Sequence, residues 1–141
     1  MEDTNGAATK CVMVLDDALP QGLAANAASV LALTLGRHID AIIGPDVVDA
    51  SGATHTGITT TPIPILVAPS EDVRLIRLQA DQLDGLFIVD FTDAAQSTTT
   101  YQAYTKRIGS VPTDRLKYLG VALYGAKRPV NKLTGSLPLM R

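Results

Sequence analysis

The chain has 141 residues, a formal net charge of −2 and a hydrophobic share of 46%. That length suits one domain with a core that needs no staples, and the apolar share excludes a wholly disordered chain. A single cysteine excludes an intramolecular disulfide and fits a reducing compartment.

Residues 1–9 are acidic and polar, the reverse of the basic start and apolar run of a secretory leader. They read as a flexible tail ahead of a single domain over 10–141. Cys11-Val12-Met13-Val14-Leu15 is short, apolar and rich in valine, which predicts a buried strand ending at Asp16 and Asp17. Pro20 then suits a first helical turn. Leu23, Ala24, Ala27, Val30, Leu31, Thr34 and Leu35 recur at helical spacing up to a stop at Gly36. Asn26, Ser29 and Thr34 interrupt this stretch, and it falls short of the ~20 apolar residues that cross a bilayer. The expectation is a cytoplasmic chain with no membrane partner.

Residues 46–49 and 53–56 flank Ala50-Ser51-Gly52 and predict a hairpin. Residues 59–62 read as a loop and 63–68 as a strand, with Pro64 placing that end at a sheet edge. Ser70 followed by Glu71 and Asp72 reads as a helix start. Leu86-Phe87-Ile88-Val89 is a second buried-strand pattern. Residues 101–108 predict a helix, 114–116 a short turn and 118–124 another strand. Residues 125–141 read as a basic loop with a short strand near 137–140. Alternating strands and helices predict an α/β fold: a mixed β-sheet of about four strands flanked by helices, plus a small β-hairpin.

Charge is divided along the chain. Residues 1–100 hold four bases and thirteen acids, a net −9, whereas 101–141 hold eight bases and one acid, a net +7. Two readings follow. The opposite parts face each other or a sister subunit, as in a homodimer, or the basic Lys127, Arg128 and Lys132 meet RNA phosphates.

No Gly-rich phosphate loop is present, and His38 and His55 lack metal-ligand spacing, so neither a cofactor nor a metal is expected. Cys11, inside a strand, reads as structural. The polar residues that do converge are those at strand ends, where open α/β sheets collect ligands. Asp16 and Asp17 follow the first strand, Asp90, Thr92 and Asp93 follow the Leu86–Val89 strand, and Ser97, Thr98, Thr99 and Thr100 lie just beyond. Asn26 and Ser29 sit on the first helix. These side chains form a polar cleft, or they cap the helices that follow; spacing alone leaves both open.

The run Leu15-Asp16-Asp17-Ala18-Leu19-Pro20-Gln21-Gly22-Leu23-Ala24-Ala25-Asn26 resembles the opening of peptidyl-tRNA hydrolase II. Asp93-Ala94-Ala95-Gln96-Ser97 is similar to that family's Asp-Ala-Gly-x-Thr segment. Thr134-Gly135-Ser136-Leu137-Pro138-Leu139 is similar to its Thr-Gly-x-Leu-x-Leu ending. A closer resemblance is to a sister family of unknown function, number two thousand in its series. It is carried by residues 49–58, Asp90-Phe91-Thr92-Asp93 and Tyr124-Gly125-Ala126-Lys127. The resemblance covers nearly all of 10–141 and implies a peptidyl-tRNA hydrolase II-like fold. It also implies that Asp93 and Ser97 stand at the hydrolase's acid and hydroxyl positions and Ser29 at a histidine position. Gly22 stands where that family has a lysine, and 98–112 is a segment the hydrolase lacks.

The functional expectation is a protein that binds a small polar ligand in a cleft of Asp16, Gly22, Asn26, Thr92, Asp93 and Ser97. The alternative is a hydrolase of an ester or amide such as peptidyl-tRNA. In it Asp93 orients water or Ser97, and Lys127 or Lys132 supplies the cation. A third reading is RNA binding.

Overall fold

The computed structural model describes residues 9–141. The expected tail lies outside them except for Thr9, which already belongs to the first strand, β1 (Thr9–Asp16). Both neighbours of β1 are strands and both its faces are covered, so its apolar run is unbroken rather than alternating.

The first helix, α1 (Gln21–His38), begins after Pro20 and runs past the expected stop at Gly36. A glycine ends a helix by turning left-handed, and the positive-φ glycines here are Gly52 and Gly85, not Gly36. The extra turn carries His38 onto Phe87, ring centroids 5.2 Å apart.

Residues 39–61 then leave the sheet as an arm. Thr60 N donates to Ile42 O at 2.7 Å and Gly44 N to Ile58 O at 2.8 Å. At its tip β2 (Val47–Val48) pairs with β3 (Thr54–His55), which is the expected hairpin. Gly52, at φ 87°, supplies the turn, and Asp49 Oδ1 accepts the amides of Ser51 and Ala53.

β4 (Ile65–Ala68) leads into α2 (Ser70–Asp81). Ser70 does not cap that helix as its type suggests; Pro69 holds the cap position and the Ser70 hydroxyl donates to Tyr118 O at 3.0 Å. β5 (Phe87–Thr92) is longer than its apolar core because Asp90 finds Arg77 Nε at 2.9 Å, which makes a charge tolerable there. Next come α3 (Asp93–Gln96), α4 (Tyr101–Gly109), a 3₁₀ turn at Thr113–Arg115 and β6 (Tyr118–Ala126).

The sequence reading of a basic loop beyond Gly125 is corrected by α5 (Lys127–Thr134). Pro129 lies in its first turn, where a missing N–H breaks no helical bond. Val130 and Thr134 are buried, and the lysines that hid this period face outward. The expected final strand is a single bridge, Leu66 to Leu139, with Met140 N donating to Ile65 O at 2.8 Å. It covers the outer edge of β4.

The sheet order is β4-β1-β6-β5, with β4 parallel to β1 and β6 antiparallel to both β1 and β5. β1, β4 and β5 therefore end along one border, where β6 begins. α1 covers one face, over Met13, Leu15, Phe91 and Ala122. α2 and α5 cover the other, over Val12, Val14, Val121 and Leu123. Gly120 lies where α1 comes closest: a Cβ there would stand 2.8 Å from Leu15 Cδ2 and 3.2 Å from Leu31 Cδ1.

Candidate functional site

The border where β1, β4 and β5 end carries most of the predicted polar residues, as strand direction dictates. Asp16 closes β1 and Thr92 closes β5, with β6 between them. Two strand spacings put these ends about 9.6 Å apart. Asp16 is buried, and its Oδ1 accepts the Ala18 amide at 3.0 Å, so this carboxylate shapes the turn into α1. Gly22 and Asn26 follow on the exposed side of α1, and no heavy atom lies within 4 Å of a Cβ built on Gly22.

Asp93 opens α3, but its carboxylate does not cap it. Oδ1 accepts the Lys117 amide at 3.2 Å, and the Asp93 amide donates to Lys117 O at 3.0 Å. This pairing ties α3 to the start of β6. Ser97, one turn on, donates weakly to Ala94 O at 3.5 Å. Thr92 is fully buried, yet its hydroxyl finds no hydrogen-bond partner among the described residues, and neither does the buried Gln96 Oε1. An unmatched buried polar atom costs about 1–3 kcal/mol, so two within one turn of α3 are conspicuous.

Lys127 and Lys132 are not brought to this border. Lys127 follows the far end of β6, whose nine residues span about 26 Å at ~3.3 Å per residue. There it lines a recess with Lys10 and Pro64. Lys132 rides α5, on the sheet face opposite α1, and neighbouring Asn131 accepts Lys10 Nζ at 2.6 Å. The lysine that the chain does hold beside Asp93 is Lys117, which sequence reading passed over. Only the β5–β6 pairing brings the two together.

The recess nearest this corner has a volume of about 360 Å³ and follows the outer edge of β5 between α1 and α4. Val30, Phe91 and Ala95 give it apolar walls, and Thr98, Thr99, Thr100, Tyr101 and Tyr104 give it hydroxyls. Asp90 lines it too, its charge matched by Arg77. Burial, and secondarily Asp90, push the Tyr104 phenol above its ordinary range. Thr98, Thr99 and Thr100 were expected in the polar cleft after Asp93; Tyr101 and Tyr104, which sequence reading did not place there, join them through α4. A second recess, lined by Asp16, Asp17, Gln21 and Arg141, lies at the ends of β1 and β4.

Cys11 is sealed between strand and helix, and burial pushes its thiol up to about 11. His55 stands on the arm, its Nε2 2.7 Å from Asp49 Oδ2. Among the described residues no three His, Cys, Asp or Glu gather as metal ligands, and no helix is long and apolar enough to cross a membrane.

A four-strand mixed sheet with helices on both faces and a polar corner defines an α/β protein with a candidate binding groove. The chain belongs to the family described as "Protein of unknown function (DUF2000)", whose model matches residues 9–141. It is similar to a solved structure of a protein of unknown function from Agrobacterium. That likeness has 22% identity and a TM-score of 0.87 and covers 95% of this chain and 98% of the other. At that identity it shows the fold. No curated protein matches the chain.

Proposed function

We propose that this protein binds a small, neutral, polar ligand in the groove between α1 and α4. The observation that carries this reading is the groove itself, whose volume of about 360 Å³ is that of a small-molecule site. Its apolar walls suit a flat or aliphatic body. Its hydroxyls both donate and accept, and its one carboxylate is already matched, which suits a ligand without net charge. Asp93, which opens α3, Ser97, which follows it, and Asn26, one turn before Val30 on α1, lie outside the groove's lining. We take the fold as peptidyl-tRNA hydrolase II-like, which the order of motifs from Leu15 to Leu139 supports.

The hydrolase activity does not follow from that likeness. The lysine position is Gly22, and Lys127 and Lys132 lie away from Asp93, so neither of them offers an oxyanion a cation there. A thermal-shift screen of neutral metabolites tests the binding reading, with backbone NMR to locate each hit. A stabilising compound that shifts signals of residues 89–91 and 98–104, and is lost on Tyr104→Ala, is expected. Hits that map elsewhere, or none, count against it. Release of amino acid from a peptidyl-tRNA mimic by the wild type, abolished by Asp93→Asn, would replace it with the hydrolase reading. Asparagine keeps an acceptor for the Lys117 amide, so that variant retains the corner.

A further inference from the structure

The two edges of the sheet are finished differently. Along the outer edge of β4 the chain lays its own residues 138–140: Val67 N donates to Pro138 O at 3.0 Å and Met140 N to Ile65 O at 2.8 Å. β5 forms the other edge and pairs with β6 alone. The register decides which of its main-chain groups face outward. Met13 N donates to Pro64 O and Asp17 N to Ala68 O, so the odd-numbered residues of β1 turn toward β4 and Val12 and Val14 turn toward β6. Their partners Leu123 and Val121 turn toward β1, which leaves Tyr124, Ala122 and Gly120 to bond β5. Opposite these stand Phe87, Val89 and Phe91, so Ile88 and Asp90 turn their N–H and C=O away from the sheet. Among the described residues no hydrogen bond from another segment meets those groups. Asp90, with Val89 and Phe91 beside it, lines the groove between α1 and α4.

We propose that the ligand of this groove is a short, extended, neutral peptide that adds as a strand to the free edge of β5. This rests on the groove reading and names its ligand class. A donor and an acceptor side by side on a strand edge are matched by one peptide residue, which exchanges both main-chain bonds with Asp90. The chain's own residues 138–140 make the same kind of addition at the β4 edge. Side chains of an added strand alternate between the faces of the sheet. Those flanking the central residue fall opposite Val89 and Phe91, on the α1 face, where Val30 completes an apolar wall. They are therefore apolar. The central side chain falls on the face of Asp90, whose charge Arg77 already matches, so it is polar and uncharged.

The test uses the full chain with acetyl-Leu-Ser-Leu-amide and two analogues, N-methylated at the serine or at the second leucine. In the free protein the Asp90 amide is expected to exchange with solvent about tenfold faster than those of Val89 and Phe91. The parent peptide is expected to bind with a dissociation constant below about 1 mM, to shift the Asp90 amide signal and to slow its exchange. Methylation at the serine removes the donor to Asp90 O and should weaken binding about tenfold. Methylation at the second leucine, whose N–H points away from β5, should change it little. An Asp90 amide already protected in the free protein overturns the proposal, whether α4 or a second copy paired through β5 protects it. Equal binding of all three peptides overturns the edge pairing and leaves the groove as a ligand site. A neutral metabolite that occupies the groove where the parent peptide does not bind has the same effect. Failure of both peptide and metabolites to bind removes the groove reading as well.

Discussion

Gly120 is the point at which helix α1 rests on the sheet, and replacing it with alanine is a direct probe of that contact. The new methyl would stand 2.8 Å from Leu15 Cδ2 and 3.2 Å from Leu31 Cδ1, inside ordinary carbon–carbon contact. Both are the ends of leucine side chains, so the structure can yield, but the core is full around them and the expected cost is about 1–3 kcal/mol. Leu15→Ala alone removes three buried carbons beside the same spot and should cost about 2–5 kcal/mol. In the double variant the added methyl enters the space that Leu15 vacates, so the two losses should not add. The expected shortfall is about 1 kcal/mol, within the range for residues in contact. Urea unfolding followed by circular dichroism, at one fixed protein concentration, measures all four corners of the cycle. Additivity within about 0.5 kcal/mol would refute the contact, and with it the seating of α1 over Gly120.

Thr92→Val should leave stability unchanged or raise it by about 1 kcal/mol, because it removes a buried hydroxyl with no partner; calorimetric melting checks this, and a clear loss would mean that the hydroxyl is bonded after all. Cys11 should resist thiol reagents in the native protein, since a thiol near pKa 11 has roughly a hundredth of the ordinary thiolate population at neutral pH. Rapid labelling without denaturant would contradict its burial. The Asp49 carboxyl lies below its ordinary range, first because of the His55 hydrogen bond and then because of the Ala53 and Ser51 amides. A depressed acid contributes stability above its unfolded value that is lost as pH falls through the folded one, so the arm should loosen selectively in acid. Amide signals of residues 47–55 report that change. Asp49→Asn should abolish the pH dependence, and its persistence would place the cause elsewhere.

Most elements were legible in local patterns. The run from Cys11 to Leu15, the period from Leu23 to Leu35 and the turn at Gly52 each state their structure within a few residues, because strand burial, helix facing and turn geometry are local demands. The failures came where tertiary contacts overrode the local signal. At α5 three basic residues and Pro129 masked a period that only burial of Val130 and Thr134 reveals. Ser70 was read as a cap because its neighbours are acidic, but Tyr118, 48 residues away, takes its hydroxyl.

The site divided along the same line. Read alone, the sequence puts Asp16, Thr92 and Asp93 at strand ends and Gly22 where the resembling family has a lysine. It also determined that acid and base are segregated along the chain. Only the tertiary structure decided which strand ends meet, because strand order and direction are set by long-range pairing. β6 runs antiparallel between β1 and β5, and that one fact brings Lys117 to Asp93 and carries Lys127 to the opposite border. The same pairing leaves the outer edge of β5 beside α1 and α4, where the groove forms from residues 30 to 104 that no local pattern connects.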